Sequence, residues 1–450
     1  MSKRTISLIL ALVMGLSLAA CGNNASPEAA AKPESTAASE IDSPQETDES
    51  INAETVSDLE NEQAPVYEPE RYETDTLSWD FDAAAGTLSI HGSGPMRDYS
   101  DTAPEWEQYK DQIFTVSLDD GITSVGAYAF YNYPHLTEAR LPDSVEVIND
   151  SAFDYDWELR IITIPASLKY VGCRAFYNTL LWEPNDLVFP EGLEYIGDYS
   201  FHSALKSGGI VSLPASLKYL GKQAFTNAYL SDFLVSEGNT DYCTDNHAIY
   251  TEDMKELLML APVTDSLGEF HIPDGVERIC EESFNVIHGI STVYIPASVT
   301  DIAEGAFFST FDLKEIIVDE GNSNYKSENG ILLSKDGTLL LAWPDGIESN
   351  ELIIPDGVER LGEYLFYGRF GEGYTVIMPE SVKELGTMCL PGSMALLSLP
   401  HTLEKIDSSV FYNGITVDAV SYNGTDADWE MITIGDGNNG LDRAAIHWNG

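Results

Sequence analysis

The residues able to do chemistry are numerous in this chain, but their arrangement supports none. Eight histidines stand at 91, 135, 202, 247, 271, 288, 401 and 447, and none has a second histidine four residues away. There is no H-E-x-x-H zinc helix, no G-x-S-x-G nucleophile elbow and no phosphate-cradling glycine loop. The expectation is a chain with no catalytic residues, no cofactor and no metal centre. Carboxylates are everywhere, Asp+Glu 74 against Lys+Arg 23 for a net charge of −51. At that density paired acids carry no information about acid–base catalysis and read as a solvated face. The Asp/Asn-rich turns at 319–324 and 436–439 offer calcium-type ligands, yet neither fits the D-x-[DN]-x-[DN]-G loop. The same charge repels phosphate backbones, so no nucleic-acid partner is expected.

Five cysteines, at 21, 173, 243, 280 and 389, have spacings that fit neither a zinc site nor a disulfide framework. Cys280 and Cys389 fall in crowded inward slots of the repeat described below and Cys173 lies beside one, where a small buried hydrophobe is the expected role. Cys21 is different. Residues 1–20 open with Lys3 and Arg4, run through an apolar stretch at 6–18 too short to span a bilayer, and end in L-A-A before the cysteine. That is a secretory signal. The L-A-A-C ending resembles the lipobox of bacterial lipoproteins, which implies cleavage before Cys21 and a lipid on its sulfur and new amino group. The alternative is ordinary signal cleavage beside an incidental cysteine. A lipid would anchor the mature protein to the outer face of the cell membrane without spanning it. Residues 21–75 are rich in Ala, Ser, Pro, Thr and Glu, and Lys32 is the one basic residue between 22 and 66. Such a segment cannot form a core and reads as a disordered acidic tether, with a coil reach of about 40 Å.

The rest of the chain is organised by a repeat. The stretch 160–176, R-I-I-T-I-P-A-S-L-K-Y-V-G-C-R-A-F, has counterparts at 114–130, 137–153, 185–201, 209–225, 268–284, 291–307, 350–366, 374–390 and 395–411. Self-similarity at this period predicts a solenoid. Ile162 and Ile164 alternate with Thr163 as a short strand, and Pro165 ends it because its ring removes the next ladder donor. Leu168 and Val171 then turn inward, Gly172 permits a bend, and Ala175 with Phe176 fill the core. One such coil cannot bury its apolar face alone; stacking coils about 4.8 Å apart does.

Between Pro214 and Pro273, and again between Pro296 and Pro355, the step lengthens to 59 residues. Inserts near 233–263 and 316–346 account for this, each holding a coil strand, an E-G-N turn and a hairpin. Asp336-Gly337 is a strong hairpin turn and Asp253-Met254 a weaker one. Residues 76–113 predict an N-terminal β cap, with Trp79, Phe81, Leu88 and Ile90 on one sheet face and Trp106 and Tyr109 beneath it. Residues 415–450 depart from the repeat and predict a C-terminal cap around Trp429, Ile432, Ile434 and Ile446. The solenoid proper spans 114–414.

If the Ile164-type positions face in, one outward row comprises Arg140, Thr163, Val188, Ser212, His271, Tyr294, Ile353, Ile377 and Ser398. A second comprises Glu138, Ile161, Asp186, Ile210, Glu269, Thr292, Glu351, Thr375 and Leu396. The first row is the candidate binding ladder. The competing explanation is that β-branched residues occur there because strands favour them.

The I-P-x-S coil, the E-G-N-S-N-Y insert with its L-L-L-A-W-P end, the W-D-F-D opening with G-S-G-P-M-R-D-Y, and the Y-N-G-T-D-A-D-W ending together resemble the BspA-like leucine-rich-repeat family of bacterial surface proteins, over 77–450. Asp119 for proline, Asn149 and Cys280 for glycine, and Leu390 for phenylalanine are departures that weaken single coils. The resemblance implies a β-rich solenoid: a right-handed array of short parallel strands with turns or short helical segments, capped at both ends. It also implies a cell-surface setting, with adhesion to host or matrix proteins in some members. The functional expectation is therefore a non-enzymatic lipoprotein anchored through Cys21 that presents a surface to a protein or glycan. The alternative is a structural spacer or coat component with no dedicated ligand.

Overall fold

The computed structural model describes residues 77–261, 267–369, 371–412, 414–441 and 446–448. The signal sequence, Cys21 and the tether lie outside these residues, as does the end of the first insert at 262–263. The described chain is a β-solenoid of about 14 turns with almost no helix.

The alternating residues of each coil form the first of two parallel ladders. Thr115–Leu118, Glu138–Arg140 and Ile161–Ile162 pair in sequence, and Ala139 and Ile162 stack inward at Cα register. A second parallel ladder, absent from the sequence reading, runs through Ile122–Val125, Val147–Ile148, Tyr170–Val171, Tyr195–Ile196 and Tyr219–Leu220. These strands are mostly two residues long, too short to print an alternation.

The third side is built from turns that also hydrogen-bond from coil to coil. Arg174 and Asn178 take left-handed φ values of 56° and 57° on either side of Phe176. The N–H groups of Arg174, Phe176 and Asn178 donate to the carbonyls of Asp198, Ser200 and His202 at 2.9, 2.8 and 3.0 Å. Ser151, Phe153 and Tyr155 donate in the same way to Cys173, Ala175 and Tyr177 at 2.9, 2.8 and 2.9 Å. A left-handed non-glycine residue costs about 1–2 kcal/mol. Here the conformation aims alternate amides at the next coil, and the bonds gained offset that cost.

Between the three sides, Phe130, Phe153, Phe176, Phe201 and Phe225 stack with ring centroids 5.2, 5.3, 5.0 and 5.3 Å apart. All five are fully buried. At Gly197 the coils are too close for a side chain: a Cβ there would sit 2.5 Å from the amide nitrogen of Cys173.

Each insert contains the expected coil strand, turn and hairpin, plus one more strand. Tyr325–Glu328, Ile331–Ser334 and Leu339–Ala342 form an antiparallel meander, and the last strand joins the second ladder beside Arg360–Leu361. Tyr242–Asp245, Ala248–Thr251 and Glu256–Leu260 do the same beside Arg278–Ile279. The extra turn is Asn329-Gly330, with φ 54° and 83°, or Asn246-His247, with φ 48° and 66°. Two successive positive φ values are what a two-residue hairpin requires. Each insert interrupts the two ladders at different levels. The first ladder carries Asp232–Val235 and stops above it, while the second stops below the insert at Tyr219–Leu220 and resumes with the meander.

At the start, Ser78–Asp82 and Thr87–His91 pair antiparallel and the latter joins the first ladder. Phe81 stacks on Tyr109 at 4.7 Å, and Trp79 meets Trp106 at 6.3 Å. Over 415–450 the I-P-x-S pattern is lost but the backbone continues both ladders, through Val420–Tyr422 and Ile446–Trp448 in the first and Thr433–Ile434 in the second. The helix Asp426–Trp429, held by a Thr425/Asp428 capping box, replaces a turn.

Candidate binding surface

The outward row is in register within runs. Ser117 lies opposite Arg140, and Val188 opposite Ser212, which lies opposite Leu234. His271 faces Tyr294, and Ile353, Ile377 and Ser398 follow one another. The runs do not join. After Thr163 the chain bulges outward through 182–186, so Ile162 N–H donates to the carbonyl of Glu183 at 3.2 Å and the ladder restarts at Val188. The inserts make the other two breaks.

Within the runs the side chains differ in what they can offer. Val188, Ile353 and Ile377 are exposed apolar groups; Thr163 and His271 are exposed, and Ser212, Tyr294 and Ser398 are half-buried. His271 lies flat on Tyr294, with centroids 4.1 Å apart and planes 2° from parallel. Arg140 is occupied, gripping Glu138 through Nε and Nη2 at 2.7 and 2.8 Å.

A second surface, which sequence reasoning missed, lies on the turn side. Tyr128, Tyr131, Tyr155 and Trp157 form a continuous aromatic strip with successive centroids 5.6, 6.1 and 5.5 Å apart. Trp157 is 41% exposed, and Tyr128 and Tyr131 are exposed beside it. Behind the strip the Arg174 guanidinium lies 3.9 Å from the Tyr177 ring centre, and its Nε donates to Asp154 at 2.8 Å. Burial lifts the Asp154 carboxyl to about 6 against the pull of Arg174. The signal was present as aromatic residues two before and one, two or four after the repeat's Phe. It was hidden because those positions look like turn residues until the left-handed φ of Tyr128 and Tyr155, 58° and 62°, is known.

Deeper in the same turns, His202 stacks on Tyr177 at 5.0 Å and is pushed down to about 3 by burial. Asp156 accepts the Tyr133 amide at 2.6 Å, and burial holds its carboxyl well above the usual range. These groups pack against the protein itself. Among the described residues no group of three or more His, Cys, Asp or Glu is placed to hold a metal ion. In the two acidic turns the asparagines bond internally: Asn322 donates to Pro296 and Val299, and Asn438 to Asp407 and Gly435.

The family described as BspA type leucine rich repeat region matches in six copies, over 108–205, 182–255, 263–329 and 345–427. The chain belongs to this family. The BspA-type array is also similar to solved structures. One is a leucine-rich repeat protein from Eubacterium ventriosum, at 21% identity and TM-score 0.33 over 78% of this chain and 71% of that one. Another is a leucine rich cell surface protein from Faecalibacterium prausnitzii, at 19% and 0.38 over 81% and 98%. A third is a leucine-rich repeat protein from Bacteroides ovatus, at 16% and 0.37 over 84% and 99%. No curated protein matches the BspA-type chain.

Proposed function

We propose that this protein is a non-enzymatic interaction scaffold, held on the outer face of the cell membrane by a lipid on Cys21, that presents its repeat array to an extracellular protein or glycan in adhesion. The observation that carries the binding reading is the aromatic strip of Tyr128, Tyr131, Tyr155 and Trp157. Exposed aromatic groups are costly to leave in water, and they anchor interfaces when they cluster. A rigid backbone behind them, hydrogen-bonded from coil to coil, lets them bind with little ordering entropy. The ladder runs at His271–Tyr294 and Ile353–Ile377 are the second candidate contact. For the anchor, the support is the L-A-A-C ending after an apolar run.

The test is capture of matrix proteins and cell-wall glycans by the immobilised full chain, compared with a Tyr131→Ala/Trp157→Ala variant and with a Tyr294→Ser/Ile353→Ser/Ile377→Ser variant. Loss of capture in the first variant supports the strip, and loss in the second supports the ladder. No capture by the unaltered chain would favour the spacer reading. For the anchor, Cys21→Ala should move the protein from the membrane fraction to the soluble one, and retention would overturn lipidation.

A further inference from the structure

Among the described residues most lysines and arginines sit against a carboxylate, as in Lys169–Glu146, Lys218–Glu194 and Lys383–Glu359. Two that do not are Arg160 and Lys206, and both line one open groove with Leu180 and Trp182, of about 540 Å³. The groove lies beside the bulge at 182–186, and its lining residues belong neither to the candidate ladder row nor to the aromatic strip. Trp182 is 52% exposed. Glu158 and Glu183 are close in sequence, yet among the described residues neither forms an ion pair with either cation.

From this we infer a binding site for a carboxylated sugar, with the ring resting on Trp182 and Leu180 and the carboxylate held by Arg160 and Lys206. The indole offers a flat apolar face to the C–H side of a pyranose. Arg160 supplies a planar fork matched to two carboxylate oxygens, and Lys206 a compact charge beside it. Burial has already pushed the Lys206 ammonium down to about 8, so an arriving anion relieves a desolvated cation that lacks a partner.

Competing ligands fit less well. A peptide C-terminal carboxylate is usually captured by free backbone amides. Here those amides are used: Leu180, Trp182 and Lys206 N–H donate to Leu159, Arg160 and Leu181 at 3.0, 2.9 and 3.0 Å. A phosphate monoester or a densely charged polymer brings more negative charge toward a chain of net charge −51. Local attraction in the groove acts over about one Debye length, roughly 8 Å at physiological salt, which favours one carboxylate at a time.

The site goes beyond the scaffold reading and does not depend on the aromatic strip. Saturation-transfer NMR and calorimetry on the full chain, with methyl β-glucuronide, methyl β-glucoside, inorganic phosphate and a short peptide with a free C-terminus, separate the cases. The expected result is binding of the glucuronide at least tenfold tighter than of the other three. Trp182→Ala and Arg160→Gln, both at exposed positions, should each weaken it at least tenfold with the melting temperature unchanged. Lys206→Met should do the same while keeping the apolar stem. Equal affinity for glucoside and glucuronide, tighter binding of phosphate or peptide, or insensitivity to Trp182→Ala and Arg160→Gln would each overturn the assignment. Any of these outcomes leaves capture through Tyr131 and Trp157 as a separate question.

Discussion

Asn239 and Asn322 occupy equivalent turns of the two inserts and make the same four hydrogen bonds. Each Nδ2 donates to two carbonyls of the preceding coil, Pro214 and Leu217 at 3.0 and 3.0 Å in one case, Pro296 and Val299 at 3.0 and 2.8 Å in the other. Each Oδ1 accepts from two amides ahead, Asp241 and Tyr242 at 2.8 and 2.8 Å, or Asn324 and Tyr325 at 2.9 and 2.8 Å. The asparagine of E-G-N thus takes the place of backbone pairing where the second ladder stops. Tyr242 and Tyr325 add to it, their hydroxyls accepting from Leu220 and Ile302 N–H at 2.9 and 2.9 Å.

Removing that side chain strands buried partners. Asn322→Ala or Asn239→Ala should cost about 2–3 kcal/mol each, since a buried group left unpaired loses its full desolvation penalty. Asn322→Asp should be at least as harmful, because it keeps the acceptor and removes both donors. Urea unfolding followed by far-UV circular dichroism measures the shift.

Coil spacing sets the tolerance at Gly197. Gly197→Ala, whose Cβ would meet the Cys173 amide at 2.5 Å, should destabilise by about 2–3 kcal/mol through overpacking. Gly392→Ala, whose Cβ has only the Arg369 carbonyl at 3.9 Å, should be nearly neutral. A difference in melting temperature between the two variants checks the claim.

Acid and alkali act on different groups of the turn side. Burial raises the Asp156 carboxyl in the folded protein, so the folded state keeps a proton that the unfolded chain releases above its ordinary value of about 4. The stability lost in this way grows as pH rises from there. Asp156→Asn keeps an acceptor for the Tyr133 amide, so it should raise the melting temperature at pH 7 and have little effect at pH 4.

His202 has the opposite sign. Its folded value of about 3 lies below the ordinary 6.5, so the unfolded chain takes up a proton that the folded one refuses, and stability falls as pH drops from 6.5 toward 3. His202→Gln should flatten that part of the stability curve, which thermal melts at pH 7, 5 and 4 would show.

Much of this architecture was legible because it rests on inward side chains with a fixed spacing. Ile162, Val171 and Phe176 announce the coil, and the 59-residue steps locate the inserts. What stayed hidden depends on backbone. Tyr170–Val171 is too short to alternate, and the strand Tyr325–Glu328 that Asn329-Gly330 turns back is polar and half-exposed, so it shows no apolar alternation. Trp157 and Trp182 fall outside the repeat pattern. Only the left-handed turns and the bulge at 182–186 bring them to the surface beside their partners.

The staggered interruption of the two ladders has a mechanical consequence. Around the first insert, the strand Asp232–Val235 still pairs with Ile210–Leu213 at the level where the second ladder is broken, and Glu256–Leu260 pairs with Arg278–Ile279 where the first is broken. The second insert repeats this with Glu315–Val318 and Leu339–Ala342. As with offset joints in brickwork, a load drawn along the stack meets an unbroken seam of backbone hydrogen bonds at every course around both inserts. The array can therefore lengthen by insertion without acquiring a plane along which it would shear.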